Sequence, residues 1–203
     1  MKVIINIRSV VLVLLILPIL SCSESESPIA KPRMYPKVIF PEKNQVVLTN
    51  EECGFSFSYP DYLVYGRDSV RFEEHFRYPC WFDLTTQQLN TTIHFSYLNM
   101  KSQKDLDTHI NDAFKLADEH NIKATARKEN IIENSEENGF GLLFEFDGDV
   151  AAPLQFFVTD SSKHFLRASL YFNDKVNQDS TKIIYDFIKE DIENLIRTLR
   201  WKS

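Results

Sequence analysis

The sequence predicts an α+β domain, an antiparallel β-sheet packed by helices, and three observations predict it. Leu154 to Phe172 reads as two arms rich in Phe, Val, Leu and Tyr around a polar Thr159-Asp160-Ser161-Ser162-Lys163 centre, the composition of a β-hairpin and its turn. Several other stretches alternate apolar and polar residues with a period of two, whereas two change to the period of an amphipathic helix. Strands followed by a helix, more strands and a long closing helix give an antiparallel sheet with helices laid on it. At 203 residues, less a leader, the chain is long enough for one well-buried domain and short for two.

Taken in order, Pro28, Pro32, Pro36 and Pro41 make the segment before residue 42 extended, with few ladder bonds of its own. Phe55, Phe57 and Tyr59 alternate with Gly54, Ser56 and Ser58, a half-buried strand ended by Pro60-Asp61. Leu63 to Val70 reads as an edge strand. Cys80 to Leu84 restarts the sheet, and Thr91 to Tyr97 follows after a turn at Gln87 to Asn90. From Asp105, the residues Leu106, Ile110, Ala113, Phe114 and Ala117 fall at helical spacing, with Ser102 or Asp105 placed to accept from the first-turn N–H groups and Asn121 as a left-handed stop. Ala124 to Ile132 and Gly139 to Phe146 are strands around a polar turn. On the second hairpin arm Leu166, Ala168, Leu170 and Phe172 form a core face. Phe165, Arg167, Ser169 and Tyr171 form a mixed face, partly covered or open to a partner. Ser180 caps the last helix, whose stripe runs Ile184, Ile188, Ile192, Leu195, Ile196, Leu199 and finishes at Trp201.

The leader sets the address. Lys2 and Arg8 precede an apolar run from Val10 to Leu20, and Ile19-Leu20-Ser21-Cys22 resembles a bacterial lipobox. On that reading residues 1–21 are a signal peptide, and Cys22 carries acyl chains, palmitate among them, that hold the protein on a membrane. A plain signal peptide is the alternative. Pro18 and the shortness of the run disfavour a spanning helix, which needs about 20 apolar residues. Residues 22–50 are then an acidic tether, Ser23 to Ser27, followed by the proline-rich strap, and 51–203 the globular domain. Lys31, Arg33 and Tyr35 put charge and a ring on a stiff backbone, which makes the strap either a spacer or a docking element.

Once Cys22 is acylated, Cys53 and Cys80 remain. In an oxidising envelope they pair, closing a loop of about 27 residues that the chain-entropy account values at roughly 3 to 4 kcal/mol and tying the first strand to the second. Two buried free thiols, or a metal pair lacking its other ligands, are the rival readings.

A net charge of −6 gives no basic footprint for nucleic acid. There is no HExxH, GxGxxG, GxxxxGK[ST] or GxSxG, and with five glycines in all the glycine geometry of phosphate loops and nucleophile elbows is missing. No cofactor is implied. Among the histidines, His94 and His164 lie on expected strands and could meet across the sheet as an enzyme or ligand site, but without a third ligand hydrogen-bonded structure is the simpler reading. Asp160 could orient His164 as a base; turn chemistry explains the same residues.

An early strand ending in Tyr59-Pro60 with a C-terminal amphipathic helix resembles the Mog1/PsbP-like sandwich. Six ordered blocks, Lys31-Pro32-Arg33 through Lys43, Cys53 to Pro60, Cys80 to Phe82, Thr92 to Tyr97, Gln155 to Phe172 and Lys189 to Trp201, resemble the gliding-motility lipoprotein GldD family of Bacteroidetes. The resemblance implies a non-catalytic, membrane-anchored envelope lipoprotein, facing periplasm or cell surface. It would be needed for gliding and the associated type IX secretion machinery, whose other proteins would be its partners. The family brings no catalytic residues, so contact residues are assigned on physical grounds: Lys31, Arg33, Tyr35, His164 and Arg167.

Overall fold

A computed structural model describes residues 37–67, 80–134, 139–173 and 178–202. A three-stranded sheet is formed by β1 (Gln45–Asn50), β2 (Phe55–Pro60) and the two-residue β10 (Arg200–Trp201), with β2 in the middle. The larger sheet has β3 (Val64–Arg67), β4 (Trp81–Thr86), β5 (Thr91–Asn99), β6 (Ala124–Asn134), β7 (Gly139–Gly148), β8 (Leu154–Thr159) and β9 (His164–Phe172). Its order is β3-β4-β5-β9-β8-β7-β6, antiparallel at every step. The β8–β9 hairpin therefore occupies the middle of the sheet, and the α+β class read from the sequence is the class observed.

Helix α1 (Gln103–Asp118) covers one face of the large sheet, and helix α2 (Gln178–Thr198) together with the small sheet covers the other. Alternation along the central strands feeds both layers. Leu166, Ala168 and Leu170 join Ile188, Ile192 and Leu195 of α2, while Phe165 joins Phe157, Phe144 and Phe146 beneath Leu106, Ala113 and Ala117 of α1. Phenylalanines carry the small sheet onto the large one. Phe82 and Phe95 stack at 4.5 Å, and Phe55 and Phe57 lie 5.8 Å from Phe82 and 5.9 Å from Phe95 respectively. Each such pair contributes about 0.5–1.5 kcal/mol beyond its buried area.

Helix α1 opens with a reciprocal cap. Ser102 Oγ accepts from the Asp105 N–H at 3.3 Å while the Asp105 carboxylate accepts from the Lys101 N–H at 2.8 Å, so two orphan donors are met at once. Its end differs from expectation. Glu119 caps it at φ −60, and among the described residues the left-handed non-glycines are Asn90 and Ser161, not Asn121. Tight right-handed turns continue instead, Asn121 N–H to Asp118 O and Lys123 N–H to His120 O. At the other helix, α2 begins at Gln178, two residues before the expected cap.

The compact unit runs from Lys37 to Ser203. Residues 37–50, read from the sequence as the end of the strap, thus carry β1 and a packed lead-in. Phe40 stacks on Phe187 at 4.4 Å, and the Lys43 ammonium donates to the Phe187 carbonyl and pairs with Asp191 at 3.1 Å. Asp191 also accepts from the Tyr62 hydroxyl at 2.6 Å. Burial pushes this carboxyl up from the ordinary aspartate value, against the pull of Tyr62 and Lys43.

Candidate functional site

The anchor Cys22 and the strap residues Lys31, Arg33 and Tyr35 lie outside the described residues. Among the described residues no helix is long and apolar enough to cross a membrane. The remaining site residues named from the sequence fall at three separate places.

Cys53 and Cys80 are bonded, with Cα atoms 5.8 Å apart. Cys53 sits in the β1–β2 turn and Cys80 immediately before β4, so the bridge joins the small sheet to the large one rather than consecutive strands of one sheet.

His164 opens β9 on the α2 side of the sheet. Its ring stacks on Trp201 with centroids 5.0 Å apart and planes 6° apart, and its Nδ1 lies 2.7 Å from the Tyr97 hydroxyl. At 3% exposure the imidazole is withdrawn from the contact surface expected of it, because β10 folds Trp201 over it. Burial pushes its pKa below the ordinary histidine value, with Asp160 working the other way. Asp160 does not orient the ring as a base. Its Oδ1 accepts the backbone N–H groups of Ser162, Lys163 and His164 at 3.0, 2.8 and 2.8 Å, holding a turn in which Ser161 takes φ +62.

His94 lies on the opposite face. Register pairs it with Ser169 while His164 pairs with Asn99, and the alternation of β5 and β9 sends the two imidazoles to opposite sides of the sheet. The expected meeting of His94 with His164 is therefore corrected. Instead His94 Nδ1 is 2.5 Å from Asp83 Oδ1 on β4.

That pair lies in a cleft of about 330 Å³ between α1 and the β4–β5–β9 surface. Two neighbouring rungs of the sheet form its floor: Trp81, Ser96 and Arg167, then Asp83 and His94, whose register partner Ser169 lies outside the lining. His109, Asp112 and Leu116 of α1 make one wall, and Leu98 and Phe165 continue the lining. Helix α1 seals its side of the sheet over Phe144 and Phe157 and leaves this edge open.

Arg167 projects beneath the helix and donates from Nη2 to Gln155 Oε1 at 2.6 Å. Burial pushes its pKa below the ordinary value, opposed by Tyr171 and Glu119, and a guanidinium keeps its charge regardless. Among the described residues no carboxylate lies within ion-pair distance of it. Gln155 and Ser169 are 1% and 3% exposed, yet among the described residues the Gln155 amide nitrogen and the Ser169 hydroxyl have no hydrogen-bond partner. The amide orientation follows from its neighbour. Arginine offers donors alone, so the Gln155 atom facing it is the oxygen and the NH2 group is the orphan. Each unmet buried group costs about 1–3 kcal/mol. The sequence reading found Arg167 and His94 and missed Asp83, Gln155, Ser169 and Trp81. Strand alternation was the available signal for Asp83, which sits opposite the apolar Phe82 and Leu84 face.

The sequence matches a family model described as gliding motility lipoprotein GldD over residues 25–201. Among solved structures, the solution structure of cyanobacterial PsbP (CyanoP) from Synechocystis sp. PCC 6803 is similar over 74% of this chain and 92% of that one, at 11% identity and a TM-score of 0.43. No curated protein matches the sequence.

Proposed function

The chain belongs to the gliding motility lipoprotein GldD family, and from that premise we propose that it is a non-catalytic envelope lipoprotein. It serves gliding and the associated type IX secretion machinery by holding neighbouring proteins. The family match across residues 25–201 carries the reading. In this reading Cys22 supplies the membrane anchor. The tether and strap between Cys22 and Lys37 set the reach of the folded unit, and Lys31, Arg33 and Tyr35 contact the partner. An extended, proline-stiffened segment loses little conformational entropy when it docks, which favours a strap as the contact element.

The test replaces the native gene with variants and follows fractionation, colony spreading and secreted protein together. Cys22→Ala is expected to move the protein out of the membrane fraction and abolish spreading. The triple Lys31→Ala, Arg33→Ala, Tyr35→Ala variant is expected to stay anchored and folded while losing spreading and the partners captured by crosslinking on intact cells. Wild-type spreading by the anchored triple variant would remove the strap from the account. Full spreading by an unanchored protein would remove the lipoprotein role itself.

A further inference from the structure

Beneath helix α1 the buried surface of the sheet offers donors without acceptors. Arg167, which lines the cleft, has one protein acceptor among the described residues, Gln155 Oε1; the Gln155 amide nitrogen and Ser169 hydroxyl, on residues that are buried and do not line the cleft, have none. The donors Arg167 has left match a ligand that brings oxygen acceptors. We propose that the cleft between α1 and the β4–β5–β9 surface binds a small organic acid, its carboxylate on Arg167 and its apolar or aromatic body along Trp81, Leu98, Leu116 and Phe165.

The charge of the site selects a single negative charge. One guanidinium faces two carboxylates on the cleft lining, Asp83 and Asp112, and the whole chain carries −6. A phosphate dianion would meet that field with one cation to offset it, whereas a planar carboxylate matches the guanidinium fork. The volume, about 330 Å³, falls at the small end of the roughly 300–1,000 Å³ of small-molecule sites and suits a compact acid better than a protein segment. Asp83 is already held by His94 at 2.5 Å, so it is turned to the imidazole and not left as a bare charge opposing the ligand. The site is independent of the strap and of the motility reading, and either could fail without the other.

Benzoate is the probe, with benzamide as its neutral isostere and phenyl phosphate as the dianion. The full acylated protein, extracted in a non-ionic detergent and carrying Trp201→Phe, leaves Trp81 as the remaining tryptophan and a fluorescence reporter in the cleft. Benzoate is expected to give a saturable change, with benzamide and phenyl phosphate each at least about 10-fold weaker. Arg167→Lys, which keeps the charge and loses the fork, is expected to weaken benzoate by about 10-fold or more. Leu116→Tyr, at an exposed helix position on the wall, narrows the cleft while leaving Trp81 as the remaining tryptophan, and is expected to exclude benzoate with the fold intact by far-ultraviolet circular dichroism. It decides the matter if the arginine variant misfolds. A benzoate response absent up to about 50 mM, equalled by benzamide, exceeded by phenyl phosphate, or preserved in a folded Leu116→Tyr protein overturns the proposal.

Discussion

His164 shows how one side chain couples the fold to pH. Its imidazole is buried beneath Trp201 and shares a proton-bearing contact with Tyr97, and burial holds its pKa below the ordinary 6.5. Between that lowered value and 6.5 the unfolded ring is protonated and the folded ring is not, so the unfolded state binds more protons there. Stability that is fully present above about pH 6.5 is therefore lost as pH falls through that window. His120 acts in the same direction, its pKa lowered by burial and by the nearby Arg167. Urea unfolding followed from about pH 7.5 down to about 5.5 should show falling stability, and His164→Gln should flatten part of the slope. An unchanged slope in a folded His164→Gln protein would mean that the ring is free to take up its proton in the native state.

At the scale of elements, Gly141 has no room for a side chain where β7 meets β8. A Cβ at Gly141 would sit 2.0 Å from the Phe157 carbonyl oxygen, whereas one at Gly66 on the edge strand β3 would meet nothing within 4 Å. Gly141→Ala should cost roughly 2–4 kcal/mol in urea unfolding, because the ladder to the central hairpin must shift, while Gly66→Ala should stay within about 0.5 kcal/mol. Equal costs for the two would refute the packing argument. The elements legible in the sequence are those whose alternation or helical stripe is strong: β2, β5, β7, the β8–β9 hairpin and both helices. The strand β1 was not legible, since Gln45–Asn50 follows a proline-rich run and lies exposed along much of its length. Nor was β10. Trp201 continues the apolar spacing of α2, and what turns it into a strand is a partner, Phe55 of β2, from the far end of the domain.

Across the whole molecule, the layered class could be read from the order of periodicities, but the cleft could not. Asp83, His94, Gln155, Arg167 and Ser169 come from four strands, and they meet through the register of three strand pairings that no local pattern specifies. The disulfide belongs to this scale as well, since it fastens one sheet to the other. Closing a 27-residue separation, it should contribute about 3–4 kcal/mol, read as the difference in unfolding free energy between the native protein and a Cys53→Ala, Cys80→Ala variant. A difference near zero would show that the phenylalanine contacts alone keep the sheets together. The short strand β10 has a further bearing, on folding. Lys202 N–H bonds the Gly54 carbonyl and Trp201 lids His164, so until residues 200–202 dock, β2 has a bare edge and the imidazole lies open to water. Docking of β10 is therefore the step that both finishes the small sheet and seals the imidazole from solvent.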